Sequence, residues 1–411
     1  MLDAMTRQSP ASLGMDAARL ARIDRFLAER YVDPGRLPYA ALLVARDGAV
    51  VHHSVLGKAS LETGAPARED TIARIYSMTK PITSVALMML VEQGLVMLDD
   101  PVARHVPAFE RARVFAGGAA GRFETVAPAE PVRVVDLLRH TSGLTYDFQN
   151  RTAVDAAYRT SRIEPLGFAG DLAAFVERLV DLPLEFQPGT AWNYGVSTDV
   201  VGHIVERVSG LSLDRFFAER ILGPLGMADT AFHIPDDKRD RAAGCYARDG
   251  AGRLVPHDLR NFHVPPTCPS GGGGLVSTAA DYLRFCEMVR RGGELDGVRL
   301  LGPKTVASML QNHLPGHRDL HDLSVAMFSE GIYRGVGFGL GFAVVDDPTA
   351  TGIAGSPGEA SWGGLASTSF WIDPLEGLSV VFLTQLIPSS TWPVRRELRA
   401  MVNAAIVESR A

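Results

Sequence analysis

Residues 73–94 read ARIYSMTKPITSVALMMLVEQG, and the reading of the whole chain turns on them. The first residues are strand-like. From Ser77 onward Val85, Met88, Met89 and Val91 follow helical spacing up to a stop at Gly94. Ser77 therefore stands where a strand hands over to a helix, and Lys80, one turn on, shares its helix face. A helix N-terminus also offers free backbone N–H groups and a positive dipole end, both suited to a developing oxyanion. A hydroxyl and an amine held together in this way can form an activated nucleophile. The plainer alternative makes Ser77 an N-cap and Lys80 a solvated first-turn residue. The chain has four lysines, Lys58, Lys80, Lys238 and Lys304, beside thirty-seven arginines, and only Lys80 has a serine three places before it. The distinction matters because a buried lysine can give up its proton and an arginine cannot.

On the N-terminal side, Leu20, Ile23, Phe26 and Leu27 predict an amphipathic helix over 16–31. Two apolar runs follow, ALLVARDG (41–48) and AVVHHSVLG (49–57), with a hairpin signal at Asp47-Gly48. On the C-terminal side, 132–140, 171–182, 197–209 and 212–222 read as helices with hardly a strand between them. Strand signals return at LGFAVV (340–345), ASTSFWI (366–372) and LSVVFLTQ (378–385), before a closing helix over 393–407. The expected fold is α/β (α+β): an antiparallel sheet flanked by N- and C-terminal helices, with an inserted mainly helical domain. The corresponding division is 1–85 with 235–411 for the α/β domain and 86–234 for the helical one, with an active site in the cleft between them.

Four further stretches accompany Ser77-Met78-Thr79-Lys80 in order: LLRHTSGL (137–144), PGTAWNYG (188–195), GGGLVSTAADYLRF (272–285) and SWGG (361–364). Together they resemble the boxes of the class C β-lactamase and DD-peptidase-like superfamily, whose first box is S-x-x-K. The resemblance implies Ser77 as nucleophile, activated by Lys80 and by Tyr194, the tyrosine of the second box. A phenol beside an ammonium can act as general base and later protonate the leaving group. Two departures matter. Lactamases and peptidases of this group carry Asn two places after the tyrosine, where this chain has Val196. Their third box, Lys-Thr-Gly, is here Trp362-Gly363-Gly364, which removes a cation suited to a substrate carboxylate.

The W-G-G form resembles the family VIII carboxylesterases and implies hydrolysis of short- to medium-chain esters. On that resemblance the oxyanion hole consists of the Ser77 and Leu365 N–H groups. Trp362, Gly363, Gly364, Val196 and Tyr146 would then face the substrate, the glycines allowing its close approach to the backbone. Asp199 reads either as a partner behind the site or as an exposed helix-start acid. A β-lactamase, a D-amino-acid peptidase, an acyltransferase using the same acyl-enzyme and a silent binding relative are the competing readings.

The remaining signals exclude more than they propose. A net charge of −6 with no basic run gives no footprint for nucleic acid or an anionic membrane, and no apolar run spans a bilayer. Cys245, Cys268 and Cys286 lack metal or disulfide spacing. His313, His317 and His321 are interrupted by Pro315 and Gly316, so no metal site is expected. Gly271–Gly274 lacks the Lys that a phosphate cradle requires. There is no G-x-S-x-G nucleophile elbow. No cofactor is expected, the partner is a small-molecule ester, and the N-terminus carries no export-signal pattern, which implies a cytoplasmic location.

Overall fold

The computed structural model describes residues 6–325 and 333–410, so the first five residues of the N-terminal stretch read above lie outside it. Its main sheet is antiparallel and built from β1 (Tyr39–Arg46), β2 (Ala49–Gly57), β3 (Val336–Phe338), β4 (Ala343–Val345), β5 (Ala360–Gly363), β6 (Ser369–Asp373) and β7 (Leu378–Leu383). Their order across the sheet is β3-β4-β5-β6-β7-β1-β2. The β1–β2 turn falls at Asp47 (φ 53°) and Gly48 (φ 82°). Both are left-handed, as a tight hairpin turn whose twist matches the strands requires.

Strand periodicity sorts the side chains into two cores. From β1, Ala40, Leu42 and Val44 join Val380, Phe382 and Trp371 on one face. Tyr39, Ala41, Leu43 and Ala45 join Val381, Leu383 and Phe370 on the other. Because both faces are covered, β1 is buried along its whole length. Each enclosed Val, Leu or Phe contributes about 1.5–3 kcal/mol relative to exposure. The first face is closed by α1 (Ala17–Leu27) and by the C-terminal helix Val394–Asn403, through Leu20, Ile23, Leu27, Leu398 and Val402. Asp16 starts α1 by accepting a hydrogen bond from the Arg19 N–H at 3.0 Å. The second face is covered by α2 (Thr79–Glu92), α3 (Ser197–Ser209), α4 (Ala279–Arg290) and their neighbours. With these labels the C-terminal helix is α5.

The expected antiparallel sheet with terminal helices is present, and the helix expected over 197–209 is α3. Some pieces differ. The region expected to be nearly free of strands contains a hairpin, Val114–Ala119 with Arg122–Val126. It is glycine-rich and mostly exposed, with Phe115 edge-on to Phe123 at 5.9 Å, so it carries little of the apolar alternation that marks a strand. A helix at Ala153–Thr160 was not expected either, although Thr152 and Asp155 form a capping box there. Strands β3 and β5 were likewise not read, being short and interrupted by glycine. The three cysteines are free and buried. No helix of the described residues is long and apolar enough to cross a membrane.

Candidate active site

Ser77 lies in a 3-10 turn, Tyr76–Met78, that runs directly into α2, a tighter entry than the plain helix start expected. Tyr76 holds φ at +43°, a left-handed value that costs a bulky residue about 1–3 kcal/mol unless its surroundings enforce it. They do so here. The Ile75 N–H donates to the Leu275 carbonyl (3.1 Å), the Leu275 N–H to Thr79 Oγ1 (3.1 Å) and the Tyr282 hydroxyl to the Met78 carbonyl (2.7 Å). Tyr76, Met78, Thr79 and Lys80 are buried, and only Ser77 in this run is partly open. The N-cap alternative fails, because neither the turn nor α2 has a side-chain cap and Lys80 is 1% exposed.

Lys80 Nζ donates to Ser77 Oγ at 3.3 Å, to the Tyr146 hydroxyl at 2.9 Å and to the Gly272 carbonyl at 2.7 Å. An ammonium has three N–H donors, and here all three have an acceptor. The ring face of Tyr194 lies 4.5 Å from the same nitrogen, within cation–π range. Tyr194 does sit against Lys80, but the phenol oxygen in hydrogen-bond contact with the ammonium is that of Tyr146. Sequence reasoning had given Tyr146 only a place near the substrate. The Tyr194 hydroxyl accepts from Trp362 Nε1 at 3.2 Å. Burial pushes the Tyr146 phenol well above its ordinary range, with Tyr194 and Asp199 adding to the effect. Phe148 stacks on Tyr146 at 4.8 Å and is 45% exposed, giving the site an aromatic rim.

Residues 193–196 are clamped to the LLRHTSGL stretch. The Asn193 N–H donates to the His140 carbonyl (3.0 Å), Asn193 Nδ2 to that of Leu144 (3.2 Å), and the Ser142 and Ser197 hydroxyls meet at 2.8 Å. Gly195 has to be glycine, because a Cβ there would lie 2.5 Å from the Leu144 carbonyl oxygen. His140 packs against Trp192, Tyr194 and Phe338, and burial next to Lys80 pushes its imidazole well below the ordinary value. Val196 is fully buried within the large core at the start of α3.

Asp199 corrects one sequence-based alternative. It is 0% exposed, and its Oδ1 accepts from Ser270 Oγ (2.6 Å) and the Gly272 N–H (3.0 Å). Burial raises its carboxyl while Lys80 opposes the rise. The Gly271–Gly274 run thus carries the carbonyl that receives Lys80, and Asp199 pins it from behind. The glycine run was visible in the sequence, but its partner was not.

The SWGG stretch forms the end of β5. Leu365 lies in the turn beyond the strand. Gly364 needs its missing side chain because a Cβ would fall into the Ile75 carbonyl and Thr368 Oγ1. At Gly363 a Cβ would come 2.7 Å from the guanidinium carbon of Arg395. Gly364 is therefore required by neighbouring backbone, while at Gly363 a side chain would displace the Arg395 guanidinium; sequence reasoning had assigned both glycines to close approach of substrate. Neither the Ser77 nor the Leu365 N–H donates to another group of the described chain. Among the described residues no group of three His, Cys, Asp or Glu side chains could hold a metal ion.

A strained turn presenting a serine, a buried lysine against it and two aromatic phenols around that lysine define a serine hydrolase of the β-lactamase fold. The Beta-lactamase family model matches residues 25–404, and the chain belongs to that family. It is 33% identical to Esterase EstB of Burkholderia gladioli over 401 residues, covering 91% of this chain and 93% of EstB. Among solved structures it resembles EstCE1, a hydrolase with promiscuous acyltransferase activity, with TM-score 0.78, 28% identity and 95% and 99% of the two chains covered. It also resembles the simvastatin synthase LovD of Aspergillus terreus, with TM-score 0.78, 25% identity and coverage of 97% and 98%.

Proposed function

We propose that the protein is a carboxylesterase for short- to medium-chain esters, working through an acyl-enzyme on Ser77. The observation that carries this reading is the buried Lys80 side-chain nitrogen held at 3.3 Å from Ser77 Oγ and 2.9 Å from the Tyr146 hydroxyl. In the first half-reaction Ser77 Oγ bonds to the ester carbonyl carbon as the C=O π pair moves onto oxygen, and its proton passes to the Lys80–Tyr194 pair, which enters the reaction one proton short, as a neutral Lys80 amine or a Tyr194 phenolate. The tetrahedral oxyanion is received by the Ser77 and Leu365 N–H groups. The same proton then leaves with the alkoxide as the C–O bond breaks. In the second half-reaction water adds to the acyl carbon, gives its proton to the same pair of residues, and Ser77 Oγ recovers it on release of the acid.

Esters are favoured over lactam amides by Val196, which offers no side-chain amide to a substrate, and by Trp362 in place of a lysine. The similarity to EstB supports the same choice. An alcohol replacing water in the second half-reaction would make the enzyme an acyltransferase, and the aromatic rim of Tyr146 and Phe148 would suit an apolar acceptor.

The test compares p-nitrophenyl butyrate with a chromogenic cephalosporin. We expect ester turnover to exceed cephalosporin turnover and to fall on the order of 10⁴-fold or more in Ser77→Ala. Ester turnover that persists in Ser77→Ala would sink the mechanism, and a preference for the cephalosporin would overturn the ester assignment.

A further inference from the structure

Arg395, on the first turn of α5, is an unusual cation. Its guanidinium lies over Gly363 with no side chain between them. One of its terminal nitrogens donates to the Gly364 carbonyl. Among the described residues, the charged or titratable neighbours that influence it are Tyr333 and Tyr194, with no carboxylate among them, and its Nε has no hydrogen-bond partner. Burial lowers it to about 10, which leaves it charged at neutral pH. Among the described residues no carboxylate pairs with this half-buried cation, and its hydrogen bond goes to the Gly364 carbonyl instead.

From this geometry we infer that Arg395 is a positioning residue for the oxyanion hole, acting through the Gly364–Leu365 peptide. This rests on the acyl-enzyme reading above. The Gly364 carbonyl and the Leu365 N–H belong to one planar, resonance-coupled unit. A guanidinium bonded to the oxygen fixes the plane of that unit. It also draws electron density toward the oxygen, leaving the N–H a stronger donor at the opposite end. Charge-assisted bonds are roughly twice as strong as neutral ones, and polarisation along a hydrogen-bonded chain adds about 10–30% per bond. The gain appears when negative charge develops on the substrate oxygen, so it acts on the transition state and not on ground-state binding. The side chain missing at Gly363 is what admits the guanidinium to this position.

The experiment uses the full-length enzyme with p-nitrophenyl butyrate as substrate and n-butylboronic acid as tetrahedral-adduct inhibitor. Arg395→Gln is expected to lower kcat on the order of 10- to 100-fold, short of the loss for deleting an oxyanion donor outright, with KM within about twofold. The inhibition constant for the boronic acid should rise in parallel with the fall in kcat/KM. Arg395→Lys should recover part of both. Arg395→Met, which keeps the packed stem, carries the same test should Arg395→Gln fail to fold. An unchanged kcat in a folded variant overturns the inference, as does a loss seen entirely in KM. A loss confined to p-nitrophenyl hemisuccinate would also overturn it, since Arg395 would then bind a substrate carboxylate. If Ser77→Ala abolishes turnover while the Arg395 variants behave as wild type, only this inference fails and the acyl-enzyme reading stands.

Discussion

Tyr146, Asp199 and His140 reach the same ammonium by different routes, and each can be tested alone. Tyr146→Phe removes an oxygen and little volume, so one of the three Lys80 N–H groups loses its acceptor. A fall in kcat of roughly 10–10³-fold with a nearly unchanged melting temperature is expected, measured on p-nitrophenyl butyrate. Asp199→Ala should behave differently. It leaves the buried Ser270 hydroxyl and Gly272 N–H unpaired, at about 1–3 kcal/mol each before relaxation, so denaturant unfolding should report lost stability together with lost activity.

His140 sets a pH dependence. Its folded-state value is depressed, so between that value and the ordinary value of about 6.5 the unfolded chain binds the extra proton. The stability this group contributes is complete above pH ~6.5 and is lost as pH falls, by up to about 1.4 kcal/mol per pH unit. In His140→Gln the decline of melting temperature below pH ~6.5 should become shallower. An identical slope in the two proteins would remove His140 from the account.

Among the elements, β5 and the nucleophile turn depend most closely on one another. Gly364 sits so near the Ile75 carbonyl that any Cβ must push the strand off the turn carrying Ser77. Gly364→Ala should therefore lower kcat more than Gly195→Ala lowers it, as tested by active-site titration of both variants. The elements also differ in how far they could be read in advance. The helix of α3 and the β1–β2 hairpin were legible because a 3.6-residue or 2-residue period ran through enough apolar side chains. The hairpin at 114–126 was not, because its glycines and exposed residues leave hardly any apolar face to repeat. The shortness of β5 hid it in the same way.

At the scale of the molecule, the ends of the chain are tied to the sheet by Arg46. It is 1% exposed, pairs with Glu376 at 2.7 Å, and donates to the Leu13, Gly14 and Glu408 carbonyls. Arg46→Ala would remove the cation paired with the buried Glu376 carboxylate and one donor each from the Leu13, Gly14, Glu376 and Glu408 carbonyls, with an expected cost of about 3–5 kcal/mol in denaturant unfolding. Because this linkage lies on the face away from Ser77, the kcat of the folded fraction should be retained.

By itself the sequence determined the strand-to-helix entry at Ser77, the one-turn spacing to Lys80 and the alternating faces of β1 and β7. Each depends on residues a few positions apart, where backbone geometry alone sets the direction of the side chains. Only the tertiary structure decided that Tyr146 supplies the oxygen on Lys80, that Asp199 is buried behind Gly272, and that Arg395 stands over Gly363. Those partners lie 66, 73 and 32 positions apart along the chain, so no local period relates them. They meet because the cores on either side of the sheet fill space in one way, which brings β5 against the turn that carries the serine and Arg395 of α5 over the end of β5.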